Sequence, residues 1–545
     1  MAHWNKDQWG VQQAQGYSPF YTTLGAEPTP GHSQPYAQPV VQPQYDPQSS
    51  ANQKTPFDDG RFEPKKQVND ILFLVLFILQ FAGFVALSGI ALSGYVSDNG
   101  LGGGVGNGSQ VGSSVTLNRH TAYLLLFVTA AALVLSTAYL ILARIFTRAL
   151  MHITLVLSVT LNIAICVYYW ITGYYSGAII FTIIALISIF AYFGFRSRIP
   201  LASLLLQVVM DISKHHKSVY VVVFIALILQ AALTVWFSYT LIAIYTKWTP
   251  GNPSCDSGTS CSGSTVAGLV FYAIFSYLWT SQVIGNVALA TLAGGPYGSW
   301  YYFGPQEQQL MPKHPTLSAF GRASTLSLGS IAFGSLIVTI LEIVRLVLNA
   351  ARNNANAQGS FVEACLACCA EFFVGCIEGL VRYFNRYAYI EIALYGKPYI
   401  KAAKDTWTMF MDRGTLRYRL FSRKHSQDSN IVGIDALVND SLVGMTLTWG
   451  AYAIGLLCSL FGYLYLRLTH PAYNADGQYT APVVLFGFLI GLQCSMTMSA
   501  AIEAGVSTIF VGLGEDPQVL AARAPDLFRL IALTYPRVVQ GVPRV

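Results

Sequence analysis

The chain has 545 residues, of which 53% are apolar and only 11% charged, with a mean hydropathy of +0.47 and a formal net charge of +6. Soluble domains carry about a quarter charged residues, so this composition excludes an ordinary soluble protein. The basic excess sits beside apolar stretches rather than on one polar face, which reads as topological charge and not as a nucleic-acid surface.

Residues 1–67 are rich in Gln, Pro, Tyr, Gly and Ser, with units such as Gln34-Pro35-Tyr36 and Gln42-Pro43-Gln44-Tyr45. Few aliphatic groups are available to bury, so a disordered tail is expected, either a solubilising arm or a Pro-motif ligand for a cytoplasmic partner. No apolar h-region lies near Met1, and the stretch Ile71 to Tyr95 is expected to act as signal and anchor together.

Ten apolar stretches follow, at residues 71–96, 120–142, 150–171, 177–195, 218–245, 266–292, 326–348, 361–383, 433–467 and 481–513. Each is long enough to cross a hydrocarbon core of ~30 Å. Lipid offers no partner for free backbone N–H and C=O groups, so continuous apolar runs in it are helices. The expected fold is therefore all-α: a polytopic integral membrane bundle of about ten transmembrane helices over residues 68–520, followed by a cytoplasmic tail over 521–545. Membrane lipids are its obligatory surroundings.

Basic residues orient the bundle. Arg61, Lys65 and Lys66 precede the first span, Arg144 and Arg148 lie between the second and third, and Arg196, Arg198, Lys214 and Lys217 follow the fourth. The segment from Lys397 to Lys424 adds eight more, so both termini are expected in the cytoplasm. On the opposite side lie the sequon Asn107-Gly108-Ser109, a glycosylation candidate, and Cys255 with Cys261 in one polar loop, a disulfide candidate. Arg352 is expected in a short external loop between the seventh and eighth spans. His215-His216, between Lys214 and Lys217, reads as part of a basic linker.

The chain has no Walker A sequence, no His-Glu-x-x-His and no Gly-x-Ser-x-Gly elbow, so neither catalysis nor a cofactor is expected. Cys365, Cys368, Cys369 and Cys376 share the eighth span, but neighbouring helical positions diverge by about 100° and suit small apolar packing or lipidation better than a tetrahedral metal site. Ionisable groups inside the spans carry more weight, because each costs at least ~2.5 kcal/mol there without a partner or water. Glu342 and Arg345, three apart, are either a self-paired couple or part of a permeation path. Glu503 has no local partner; it belongs to such a path or to a basic residue on another helix.

In the sixth span, Tyr272, Phe275, Trp279, Gln282 and Asn286 follow spacings of three, four, three and four, which places them on one helix face. An aromatic face beside amides suits a quaternary ammonium ion, held by π faces at ~0.5–2 kcal/mol each, although aromatic helix faces are more often packing surfaces. Trp236 and Tyr239 in the fifth span are placed to complete such a cage.

Several blocks resemble the choline transporter-like family: Trp279-Thr280-Ser281-Gln282-Val283 with Asn286, Gly298-Ser299-Trp300-Tyr301-Tyr302, the run from Leu328 to Ile337, and Asn385-Arg386-Tyr387-Ala388-Tyr389-Ile390 followed by Leu394-Tyr395-Gly396-Lys397. The long Gln/Pro/Tyr tail and short first external loop look like the fungal "pH nine sensitive" branch. The resemblance implies ten spans, cytoplasmic termini and facilitated movement of choline or a related small organic cation across the plasma membrane. It also implies an acidic residue where Gln282 stands. Two other classes remain open at this point: a membrane scaffold whose tail recruits partners, and a channel or lipid-handling protein.

Overall fold

The computed structural model describes residues 67–99, 119–173, 175–249, 262–304, 313–412, 432–470, 474, 477 and 480–534. The expectations for the first 66 residues, for Asn107 and for Cys255 with Cys261 fall outside the described residues. Among the described residues there is no strand, as the lipid argument requires.

The helices are α1 (Ile71–Asn99), α2 (Arg119–Ile145), α3 (Thr147–Ile171), α4 (Tyr175–Arg196), α5 (Ile199–His215), α6 (Ser218–Trp248), α7 (Gly263–Leu292) and the short α8 (Gly298–Phe303) and α9 (Pro315–Gly321). Then come α10 (Leu328–Ala357), α11 (Phe361–Tyr395), α12 (Tyr399–Asp412), α13 (Val432–Thr469), α14 (Thr480–Glu515), α15 (Pro517–Arg523) and α16 (Pro525–Thr534). Nine of the described helical stretches are long and apolar enough to cross a bilayer: those of α1 to α4, α6, α7 with α8, α10, α13 and α14. Their outward faces carry large apolar groups such as Leu79, Leu126, Phe190 and Phe193, the pattern of a lipid-facing surface.

The expected tenth span differs in kind. Helix α11 interrupts its apolar run with Glu371, Glu378 and Arg382, and it forms an antiparallel hairpin with α10 across Gly359. Its outward face still carries Phe372, Phe373 and Ile377 together with the exposed Cys365, Cys368, Cys369 and Cys376, none of them in a disulfide. One expectation needs correction here. Arg352 lies not in a loop but on the last turns of α10, which runs on to Ala357 because Glu371 accepts the guanidinium at 2.7 Å.

The segment read as a basic linker contains a second departure. Residues 199–215 form α5, with Pro200 in its first turn and Leu201, Leu205, Leu206, Val208, Val209 and Ile212 all buried. Apolar positions on most of its circumference mean a helix enclosed by neighbours rather than one lying on a surface. Asp211 on α5 pairs with Arg144 at the end of α2, and Ser213 meets the Tyr297 hydroxyl at 3.0 Å.

The end of the bundle that holds Arg144, Arg196, Lys214 and Lys397, called the basic end below, is closed by α5, α8, α9, α12 and α15. The closure starts at Gly294-Gly295-Pro296, where Gly295 leaves helical geometry (φ −100°, ψ −105°) and the chain after α7 bends into a wide π-turn. Proline inside a helix forces such a break. The bend sends three tyrosines inward: Tyr297 donates to Ala501 O at 2.9 Å, Tyr301 to Asp516 O at 3.0 Å and Tyr302 to Asp516 Oδ2 at 3.0 Å.

The entry to α1 is fixed to the same closure. Asn69 donates its backbone N–H to Leu326 O at 3.1 Å and its side chain to Gly396 O at 2.9 Å. Asp70, at φ +53°, accepts from Ser330 Oγ at 2.6 Å and from the Tyr399 backbone N–H at 2.8 Å. A non-glycine residue in the left-handed region is strained, and these bonds hold it there. A Cβ on Gly329 would lie 2.5 Å from the backbone oxygens of both Asn69 and Asp70. Gly329→Ala is therefore expected to lower stability by about 1–3 kcal/mol. Gly89→Ala, with nothing within 4 Å, is expected to lower it not at all, and thermal unfolding of the two purified variants in detergent checks the contrast.

Candidate functional site

Charged side chains that enter a membrane bundle gather where they can pair, and here they gather on one stripe of α11. Glu371, Glu378, Arg382 and Arg386 are spaced seven, four and four, so they share a face. At 1.5 Å per residue the stripe from Glu371 to Arg386 rises roughly 22 Å, most of a bilayer core. Arg352 meets Glu371 at 2.7 Å, and Arg345 meets Glu378 at 3.5 Å. Arg382 holds Glu378 at 2.9 Å and also pairs with Glu342. Arg386 reaches α14 and meets Glu503 at 3.0 Å.

Glu342 and Arg345 are thus not paired with each other, although their spacing allows it. Both turn to α11, each toward an opposite charge there. Glu503 takes its partner from another helix, the second of the two readings its sequence left open. Four carboxylates face four guanidiniums along this seam, so it is neutral as a whole. Glu342 nevertheless keeps its Oε2 buried without a hydrogen-bond partner, while Oε1 accepts from Gln282 Nε2 at 3.0 Å.

The aromatic face of α7 lies alongside. Tyr272 donates to Gln80 O at 2.6 Å, the Trp279 indole N–H to Ala332 O at 3.0 Å, and Asn286 Nδ2 to Ser335 Oγ at 2.9 Å. Trp279 is only 3% exposed, with its ring 5.5 Å from those of both Phe77 and Phe275. Trp236 packs on Phe81 and Phe84 of α1 and donates to Ser88 Oγ, whereas Tyr239 is 38% exposed. The face that spacing identifies is therefore real, and it packs on α1 and α10. Of the residues expected to form a site, Gln282 is brought to an acid, Glu342, and Glu503 to a base, Arg386.

Below Arg386 the stripe leaves the predicted span 361–383 and ends in a second polar group. Asn385 donates to Gly334 O at 3.0 Å and accepts from the Tyr399 hydroxyl at 2.6 Å. Glu391, 0% exposed, accepts from Lys397 Nζ at 2.8 Å, and the same ammonium lies 2.9 Å from Asp405. Burial pushes the Glu391 carboxyl up to about 7; Lys397 opposes that push and Glu515 adds to it. Burial acts against the Lys397 ammonium, but Glu391 and Asp405 outweigh it and hold its pKa above the ordinary lysine value. Sequence reading singled out Lys397 as a topological charge and as the last residue of a family-like block, not as a partner of a buried acid; the adjoining Glu391 carried no periodic signal that would have marked it.

A family model described as "Plasma-membrane choline transporter" matches residues 179–423 and 428–518. "Protein PNS1" of Cryptococcus neoformans var. neoformans serotype D is 57% identical over 545 residues, covering 99% of this chain and 95% of that protein. "Protein PNS1" of Mycosarcoma maydis is 43% identical over 488 residues, 89% of this chain and 87% of the other, and that of Gibberella zeae 41% over 496 residues, 90% and 87%.

Two measurements check the site as a physical object. Arg382→Gln leaves Glu342 without a guanidinium and Glu378 with Arg345 alone, and stability is expected to fall by about 1–3 kcal/mol, discounted from a deeply buried pair because Arg382 is 40% exposed. Adding Glu342→Gln to it is expected to recover part of that loss in a double-mutant cycle. For Glu391 the folded pKa of about 7 exceeds the ordinary 4.5. Between these values the folded state binds more protons than the unfolded state, so stability falls as pH rises from about 4.5 to 7 and then levels. Glu391→Gln is expected to remove that part of the slope, up to about 3 kcal/mol, in pH-dependent unfolding.

Proposed function

The chain belongs to the choline transporter-like family, in its fungal PNS1 branch, and from that premise we propose that it carries choline or a related small organic cation across the plasma membrane by facilitated transport. The observation that supports this most is the Glu342 carboxylate. The acid that the resemblance implies at the position of Gln282 is supplied by α10 instead, 3.0 Å from the Gln282 amide. Its unpartnered Oε2 has the chemistry to receive a cation.

The pairing pattern allows an exchange without stranding a charge. Arg382 already shares itself between Glu342 and Glu378, so a cation that takes its place at Glu342 leaves the guanidinium on Glu378. Asn286 and Trp279 lie about one turn to either side of Gln282 and Tyr272 nearly three turns away on the same helix face, where Trp279, Tyr272 and, across from them, Trp236 and Tyr239 offer π surfaces once the helices part. Glu503 with Arg386 forms a second rung of the same kind nearer the basic end.

With α11 counted as the tenth crossing, the basic end is cytoplasmic and so are both termini, because the basic residues then fall on one side. A permanent cation then needs no coupling ion. An inside-negative potential supplies ~2.3 kcal/mol per charge per 100 mV, roughly 50-fold accumulation. Labelled choline uptake into proteoliposomes of the purified protein is expected to saturate, to rise with an imposed inside-negative potential and to show counterflow. Glu342→Gln, verified as folded, is expected to reduce it about tenfold or more. Uptake no greater than in protein-free vesicles would overturn the proposal, and flux that neither saturates nor shows counterflow would favour a channel.

A further inference from the structure

At the basic end the chain places an ammonium group of its own in surroundings built for an ammonium. Lys397 Nζ lies 2.8 Å from Glu391 Oε2, 2.9 Å from Asp405 Oδ2 and 4.6 Å from the centroid of the Tyr395 ring. Two carboxylates and one π face around a cation are the elements of an ammonium cage. The cage leaves one acceptor unused: Glu391 is 0% exposed, and its Oε1 has no hydrogen-bond partner. Tyr395 is tied in turn to the Tyr302 hydroxyl at 2.6 Å and to Asp516 at 3.3 Å, so the walls belong to α8, α11, α12 and the residue after α14.

Lys397 reaches the cage from a three-residue turn, Gly396-Lys397-Pro398, with Gly396 at φ +65° closing α11 and α12 beginning at Tyr399. Its side chain is 19% exposed, at the edge of the cage rather than sealed within it. Loss of the ammonium from this position removes the charge that joins α11 to α12 through Glu391 and Asp405.

We propose that the Glu391–Asp405–Tyr395 cage is a second organic-cation site, at the cytoplasmic mouth of the path, in which Lys397 stands in for the transported ammonium until that ammonium displaces it. The inference rests on the transport reading above for the identity of the cation. A quaternary ammonium head would take the place of Nζ against the Tyr395 face and the two carboxylates. A hydroxyl on its short arm, as in choline, would donate to the free Glu391 Oε1. Displacement of Lys397 frees the turn between α11 and α12, so arrival of the cation and loosening of the closure are one event. Release restores the lysine and the closure together.

The test reads the position of Lys397 in the unaltered full-length protein in liposomes with the basic end accessible. Brief acetylation by an amine-directed reagent, mapped by peptide mass spectrometry, gives the labelling of Lys397 relative to the exposed Lys401 and Lys404 on the neighbouring helix. Choline is expected to raise the Lys397 ratio severalfold and saturably, while sodium chloride at equal ionic strength leaves it unchanged. Asp405→Asn, with one wall of the cage neutral, is expected to raise the ratio without choline. A ratio indifferent to choline, or raised equally by salt, overturns the inference. Choline uptake measured in the same vesicles separates the two ideas: flux with an unchanged ratio removes the cage and leaves the transport reading, whereas a choline-dependent ratio without flux keeps the cage and removes that reading.

Discussion

Everything in this bundle depends on how charge is accommodated inside lipid. An unpaired carboxylate or guanidinium is too costly there to persist, so each finds an opposite charge on its own or a neighbouring helix, and those pairs tie α11 to α10 and α14. The stripe on α11 is the result. It fixes α10 along one side through Arg345, Arg352 and Glu342, and reaches α14 through Arg386 and Glu503. Arg382 serves two carboxylates at once, so it keeps Glu378 as a partner if Glu342 is taken by another cation. A purely apolar helix pair would hold the same contact but would offer no charge to a cation.

The closure of the basic end follows different physics. It is made of buried tyrosine hydroxyls, backbone carbonyls and short enclosed helices, and it begins where Pro296 and its two glycines break the helix. A Cβ on Gly294 would lie 2.8 Å from Ala393 O, so the break also lets α7 and α11 approach to backbone contact. Tyr297, Tyr301 and Tyr302 then tie α8 to α14 and to Asp516 beyond it. The ionic stripe above and the tyrosine closure below meet at Glu391 and Lys397, where the last turns of α11 pass from one regime to the other.

The membrane-spanning elements were legible in the sequence because an uninterrupted apolar run has only one structural solution in lipid. The α7 face at Tyr272, Trp279, Gln282 and Asn286 was legible for the same kind of reason, since helical spacing alone puts those groups together. What they touch was not. Gln282 needed Glu342 from α10, and Glu503 needed Arg386 from α11, and no local pattern encodes a partner on a helix distant in sequence. Glu342 and Arg345 show the hazard directly: a spacing that permits a local pair gives way when stronger partners stand opposite. Helix α5 escaped because Gln207, Asp211 and the basic residues at its end break the apolar run, although Ile199, Ala202, Leu206 and Val209 already have a buried helix's spacing.

The proposed seat of the organic cation is the Glu342 carboxylate, presented by α10 beside Gln282. Equilibrium binding of labelled choline to the purified protein in detergent tests it most directly, with Glu342→Gln measured alongside at matched folding. Saturable binding by the unaltered protein and its loss in the variant are expected, with no need for flux or potential. Binding of equal strength in both would contradict it and place the cation elsewhere in the bundle.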